Sequence, residues 1–183
     1  MQLDPGFDRL VHRVAGAEAV ALVEAGVTVL DVRTEGEFTG LGHIPNAKLL
    51  PVNLVACAPA VLADEATPVL VCCEHAVRSR VATRLLMQAG FTRVYELADG
   101  MASWMGPRTF TEAPIAGPSW WLLANADLLP ASGRALDVAC GKGRHALLLA
   151  AAGLDVTAID RDAAALERLQ TQAARLGLAI TTE

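Results

Sequence analysis

The sequence has no excess of positive charge, no cysteine framework and no hydrophobic run of membrane length, and each absence removes a class of function. Its 15 Lys and Arg against 20 Asp and Glu give a formal net charge of −5. That is the wrong sign for a surface that follows a nucleic-acid backbone, so no nucleic-acid partner is expected. No apolar stretch approaches the roughly 20 residues a helix needs to cross a bilayer, so no membrane association is expected. Met1-Gln-Leu-Asp4 has neither a basic start nor an apolar core, and no signal peptide is expected. The four cysteines lie at irregular spacing, which fits a reducing, cytoplasmic setting better than a disulfide scaffold. No histidine–cysteine spacing points to a metal. Internal repeats and low-complexity tracts are also absent.

What is present is apolar substance. Of the 183 residues, 53% are hydrophobic, enough for the core of one full domain and part of another. Strand-like and helix-like segments alternate. A helix is expected over 17–24 with Gly26 as its stop, and a strand buried on both faces over 27–32. A helical stretch follows at 54–62. Pro68 opens a strand that ends at Cys73, and apolar spacing predicts a helix over 77–88 with Gly90 ending it. Residues 94–97 read as another short strand. The pattern predicts an α/β domain, a mainly parallel sheet with helices on both faces, over residues 1–106. Pro107, Pro114, Gly117 and Pro118 mark a linker over 107–133. Within it Ser119 is placed to cap a short helix beginning Trp120-Trp121, whose rings are expected to pack.

Cys73 carries the sharpest signal. It closes the apolar run Pro68-Val-Leu-Val-Cys-Cys73 and opens Cys73-Glu-His-Ala-Val-Arg78-Ser79, which leads into a helix. A thiol at a strand end, facing backbone N–H groups and a helix N-terminus, should ionise more easily than a free cysteine. Arg78 adds a positive charge, and the loop becomes a nest for an anionic group. Cys57, Cys72 and Cys140 read as small buried hydrophobes. Cys72 neighbours Cys73 on a strand, so the two side chains face opposite ways.

Residues 10–106 resemble the rhodanese (sulfurtransferase) domain at four motifs in order. These are Asp31-Val-Arg33 followed by Glu37-Phe38, the turn Gly42-His43-Ile-Pro45-Asn-Ala47, the loop Cys73 to Ser79, and Leu97-Ala-Asp99-Gly100 with Trp104. The resemblance implies sulfane-sulfur transfer through a Cys73 persulfide, with Arg78 as a second catalytic residue. Glu74, His75, Ala76, Val77 and Ser79 would line the substrate, and no cofactor is required. The six residues from Cys73 to Arg78 match the sulfur-transferring loop, whereas related phosphatases use one residue more. Three positions depart from the family pattern, one of them Asp99 in place of the first glycine of the closing segment. Ala76 replaces the loop glycine, so it must avoid a positive φ or carry strain. Glu74, expected beside the entrance, should disfavour dianionic thiosulfate and leaves a small-molecule or protein persulfide as an equal candidate donor, with a thiol as acceptor. Asp31 and Arg33 are expected to form a structural pair behind the loop, and His43 to hydrogen-bond within its turn. His75 is the histidine best placed to touch substrate, and His12 reads as a surface residue.

A second unit starts at Arg134. The run Ala135-Leu-Asp137-Val-Ala-Cys-Gly141-Lys-Gly143-Arg-His145 passes from strand through a glycine loop into a helix. A second strand ends at Asp160, a helix covers 163–176, and 178–181 reads as the start of a third strand. The glycine spacing fits a dinucleotide fingerprint, but the carboxylate of Asp137 would repel a pyrophosphate and suits a cationic amino group. The segment resembles motif I of class I S-adenosylmethionine-dependent methyltransferases, close to the tellurite-resistance-type subgroup. The resemblance implies S-adenosylmethionine contacts at Asp137, Gly141, Gly143 and Asp160. Residues 134–183 cover the first third to half of such a Rossmann-like domain. The resulting βαβαβ half-sheet is expected to leave an open edge and a bare apolar face, which could dock on the first domain or on a second copy of the chain. Methyl transfer by this chain alone is not expected. Two rival functions stand beside sulfur transfer: a regulatory module that senses or carries sulfur without turnover, and a parent protein whose main activity is methylation. The sulfur-transfer reading requires the loop to curl about the thiol and the thiol to be within a donor's reach.

Overall fold

The computed structural model describes residues 11–112 and 115–183, so Met1 to Asp4 and Pro114 lie outside the described residues. The first unit contains β1 (His12–Val14), α1 (Gly16–Glu24), β2 (Thr28–Asp31), α2 (Glu35–Gly40) and β3 (Lys48–Leu49). It continues through a 3₁₀ turn (Val52–Cys57), α3 (Ala58–Val61), β4 (Val69–Cys72), α4 (Val77–Gln88) and β5 (Val94–Leu97). All five strands are parallel, in the order β1-β5-β4-β2-β3. The helix at 54–62 resolves into the 3₁₀ turn and the short α3, where Pro59 sits in the first turn.

Alternation along the central strands separates two cores. Leu30, Val69 and Val71 join Ala82 and Leu86 of α4 on one face, while Val29, Leu70 and Cys72 join Ala19 of α1 and Phe38 of α2 on the other. Helices on both faces explain why β4 is buried at every position. Sequence patterning gave no warning of β1, α2 or β3. His12 belongs to β1, where it remains exposed and approaches Tyr95.

The segment after β5 stays with the first unit. His43 and Thr109 form a β-bridge, Trp104 Nε1 donates to the Pro107 carbonyl, and Ala116 N donates to the Leu49 carbonyl. Then come α5 (Trp120–Ala124), β6 (Arg134–Val138), α6 (Arg144–Ala151), β7 (Asp155–Ile159), α7 (Ala163–Leu176) and β8 (Ile180–Thr182). Ser119 caps α5 as expected, its Oγ accepting from Leu122 N. The tryptophans behave otherwise: Trp120 is 78% and Trp121 62% exposed. Helix α5 is only five residues long and turns their rings outward.

The second sheet is parallel in the order β6-β7-β8. Its helices sit between the two sheets. Leu147 and Leu149 of α6 share one continuous core with Leu54, Val55, Cys57 and Ala58 of the first unit. The second unit therefore docks on the first, and burying each such leucine stabilises the arrangement by about 1.5–3 kcal/mol. The far face of β6 is bare. Among the described residues β6 pairs only with β7, and Leu136 and Val138 are 60% and 67% exposed.

Candidate functional site

Parallel pairing places Asp31 beside Cys72, so the carboxyl ends of β2 and β4 bring Arg33 and the loop from Cys73 together. The loop closes on the thiol. Ser79 N donates to Cys73 Sγ at 3.2 Å, and Ser79 Oγ stands 3.4 Å from the same sulfur. The turn after β5 holds the loop from behind, with Met101 N donating to the Cys73 carbonyl and Ala102 N to the Glu74 carbonyl. A side chain at Gly100 would collide with those two carbonyls, which accounts for glycine there. Ala76 adopts the left-handed conformation, φ 56°, so the departure from glycine is accommodated as strain of roughly 1 kcal/mol. Asp99, which stands for a glycine of the closing segment, is also left-handed, at φ 60°.

Charge around the loop is internally paired. The fully buried Arg33 reaches both Asp31 oxygens (Nε to Oδ1 3.0 Å, Nη2 to Oδ2 2.8 Å), Glu74 Oε2 at 2.8 Å and the Gly42 carbonyl at 2.8 Å. Burial works against its charge, but the hydrogen bonds to Asp31 and Glu74 prevail and raise its pKa above the ordinary value. Glu74 is thus turned inward onto Arg33 rather than standing at the entrance, which corrects the expectation for that residue. Arg78 makes a two-pronged pair with Glu37 of α2, at 2.6 and 2.5 Å. This pair holds the Glu37 carboxyl down at about 2. Glu37 also closes the capping box of α2 with Thr34, so one carboxylate anchors a helix start and the loop from Cys73 together. Arg78 braces the loop, and its charge is largely spent on Glu37. His43 is buried, stacked on Phe38 with its Nδ1 3.0 Å from the Phe38 carbonyl.

Of the expected site residues, His75 and Val77 form the exposed rim of the loop, while Ser79 lies beneath it. Cys73 itself is 1% exposed. The loop does curl about the sulfur as required, but in this arrangement the thiol is covered, contrary to the expectation of a reachable side chain. The physical reason is the short, tightly hydrogen-bonded loop. The other cysteines are buried as expected. Burial pushes the Cys72 and Cys140 thiols up, and Cys57 up to about 12.

Two residues of consequence escaped sequence reasoning. Glu37 was legible only as part of a motif. Glu96 is a fully buried carboxylate in the otherwise apolar β5, with Oε1 3.1 Å from Ser79 Oγ and Oε2 3.2 Å from Arg13 Nε. A charged residue inside a short apolar strand was the available signal.

In the second unit, Asp137 Oδ2 accepts from Ala146 N in the first turn of α6 at 3.0 Å, and burial raises its pKa. Asp160, at the end of β7, accepts from Asp162 N and Gly141 N, which lowers its pKa. A side chain at Gly143 would collide with Leu169 of α7, so this glycine serves helix packing, whereas Gly141 faces open space. His145 Nε2 accepts from Ser119 N at 3.0 Å, and burial lowers its pKa. Trp120 and Arg144, with Glu35 from α2, line a cleft of about 500 Å³ between the two units. No group of three or more metal-ligating side chains occurs among the described residues, nor is any helix there long and apolar enough to cross a membrane.

Comparison with known proteins agrees with this division. Residues 16–106 match the rhodanese-like domain and residues 135–183 a methyltransferase domain. A thiosulfate sulfurtransferase GlpE of Pseudomonas fluorescens is 35% identical over 97 residues, 50% of this chain and 83% of that protein. A sulfurtransferase of Allochromatium vinosum is 33% identical over 53% of this chain and 82% of its own length. Among solved structures, a rhodanese-related protein of Thermoplasma volcanium aligns with TM-score 0.50 and 26% identity, over 55% of this chain and 99% of that one. A thiosulfate sulfurtransferase of Pseudomonas aeruginosa aligns over 96% of this chain and 43% of its own, with TM-score 0.54 and 18% identity, a likeness of fold alone. The loop geometry and the relatives lead to one conclusion: this chain belongs to the rhodanese-like family, and its rhodanese-like domain is followed by a segment of methyltransferase-domain type.

Proposed function

We propose that the chain moves sulfane sulfur through a persulfide on Cys73. The observation that carries this reading is the six-residue loop closed on Cys73 Sγ, with the Ser79 N–H donating to the sulfur, in a domain related to thiosulfate sulfurtransferases. The Cys73 thiolate attacks the outer sulfur of a donor, the donor's S–S bond breaks, and the departing group leaves with that electron pair. An acceptor thiolate then attacks the outer sulfur of Cys73–S–S⁻ and restores the Cys73 thiolate. Main-chain N–H groups of the loop stabilise the charge that develops on the transferring sulfur.

The charges favour one kind of donor. Arg33 and Arg78 are already paired with Asp31, Glu74 and Glu37, so a dianion such as thiosulfate gains little from side chains and depends on backbone N–H groups. A low-molecular-weight or protein persulfide, with one charge at most at the reacting end, fits better. Access requires the rim at 75–77 to move, because the base of the loop is pinned through the carbonyls of Cys73 and Glu74. Intact mass spectrometry after exposure to glutathione persulfide or thiosulfate tests the reading. A gain of one sulfur is expected in the wild type, faster from the persulfide, and none in Cys73→Ser.

The covered thiol favours one second reading, a module that takes up sulfur slowly and holds it as a sensor. Persulfide that forms and is not passed to a thiol acceptor would decide for that reading.

For the second unit, the acidic ends of β6 and β7 and the open approach at Gly141 fit the amino and ribose ends of S-adenosylmethionine. Asp137 and Asp160 would hold those ends, with Gly141 letting the backbone come close. The cofactor, when bound, supplies an electrophilic methyl group. Methylation as the main activity, with the first domain supplying sulfur or regulation, is the corresponding proposal for the second unit's wider role.

A further inference from the structure

The Cys73 thiol is buried beneath its loop, so bulk water is poorly placed to remove its proton. A buried thiol that must act as a thiolate needs an acceptor for that proton nearby. The hydrogen bonds beneath the loop run in one direction. The Cys73 thiol points at Ser79 Oγ across 3.4 Å, and the Ser79 hydroxyl donates onward to Glu96 Oε1 at 3.1 Å. The other Glu96 oxygen is held by Arg13 Nε at 3.2 Å. Cys73, Ser79 and Glu96 are all buried, and each comes from a different part of the fold: the residue after β4, the first turn of α4, and β5. A carboxylate in such a place would be disfavoured without partners. Arg13 alone would satisfy one oxygen and tie β1 to β5. It does not account for the second oxygen aimed at a hydroxyl in contact with the reactive sulfur.

Resting on the reading of Cys73 as the sulfur carrier, we infer that Glu96 is the proton acceptor for the Cys73 thiol, acting through the Ser79 hydroxyl. The S–H bond breaks and its proton forms a bond to Ser79 Oγ. The original Ser79 O–H bond breaks and that proton forms a bond to Glu96 Oε1. The electron pair stays on sulfur as the attacking thiolate. No net charge is created in the interior: one negative charge moves from Glu96 to Cys73, where the Ser79 N–H already points at it. Reversal of the two transfers reprotonates Cys73 when the acceptor has taken the sulfur. The charged groups around the line include Arg13 on β1, which faces Glu96, and Arg78 in the loop, which is paired with Glu37; α4, packed on β5, also carries Arg80 and Arg84. Cys72 lies one residue back and faces Asp31 and Arg33. Glu96 is a positioning residue in this scheme, since it never touches the donor.

The test is the pH profile of Cys73 alkylation by iodoacetamide, read on the Cys73 peptide by mass spectrometry, in the wild type, Glu96→Gln, Ser79→Ala and the double variant. Circular dichroism melting checks that each is folded. At pH 7 each single variant is expected to react about a hundredfold more slowly, with its profile displaced to higher pH, and the double variant is expected to be no slower than either single one. Ser79→Ala keeps the N–H to sulfur, so its loss would report the hydroxyl alone. It also carries the test by itself should Glu96→Gln not fold. Superimposable profiles, or losses that multiply in the double variant, would overturn the relay. A Glu96→Gln profile moved to lower pH would overturn it too, because Glu96 would then only be competing with the thiolate for the Ser79 proton. Alkylation needs no sulfur donor. Displaced profiles in a chain that takes up no sulfur would keep the relay and remove the proposed function, and sulfur uptake with unchanged profiles would do the reverse.

Discussion

The two sheets of this chain are built from the same parallel βα repeat yet differ in how they are finished. In the first, helices cover both faces, and a network of buried and half-buried ion pairs seals the carboxyl ends of the strands where Cys73 sits. In the second, α6 and α7 cover one face, while the other leaves Leu136 and Val138 in solvent and β6 without a second neighbour among the described residues. A parallel sheet is normally buried on both sides. The contrast teaches that the second unit takes its stability largely from the first, through the core shared by α6 and residues 54–58.

The largest expected effect breaks the finished sheet. Arg33→Ala would leave the Asp31 carboxylate buried without its partner, and a loss of about 3–5 kcal/mol is expected in denaturant unfolding. Next comes Leu147→Ala, in the shared core. It is expected to cost about 2–5 kcal/mol and to lower the melting of both units together. Separate transitions, with only the second displaced, would show that the two cores are independent.

Smaller effects sharpen the comparison. Ala76→Gly relieves the left-handed alanine and is expected to stabilise the chain by roughly 1 kcal/mol. The Glu37–Arg78 pair lowers the folded carboxyl pKa from 4.5 to about 2. Its contribution is therefore fully present above pH 4.5 and fades as pH falls towards 2, and Glu37→Gln should flatten that part of the stability–pH curve. On the bare face Leu136→Ala is expected to change stability by no more than about 0.5 kcal/mol, because there is little packing there to lose.

Much of this was legible in the sequence. The strand leading to Cys73, the helix over Val77–Gln88 and the glycine loop before α6 follow from apolar runs and glycine placement, which local physics controls. Short elements were not legible. Strands β1 and β3 span three and two residues, and they exist because neighbouring strands supply their hydrogen bonds. Side-chain partners were the least legible. Glu74 turns inward because Arg33 waits below it, and Glu96 tolerates burial because Arg13 and Ser79 flank it, pairings that join residues far apart in the chain. The exposure of Trp120 and Trp121 likewise depends on tertiary placement, not on their apolarity.

The central claim rests on a single sulfur atom. Intact mass measurement of the wild type and Cys73→Ser after incubation with glutathione persulfide, followed by a thiol acceptor, tests it most directly. The wild type should gain the mass of one sulfur and lose it again to the acceptor, while the variant stays unchanged. An unchanged wild type, or a gain that persists in Cys73→Ser, would contradict the account.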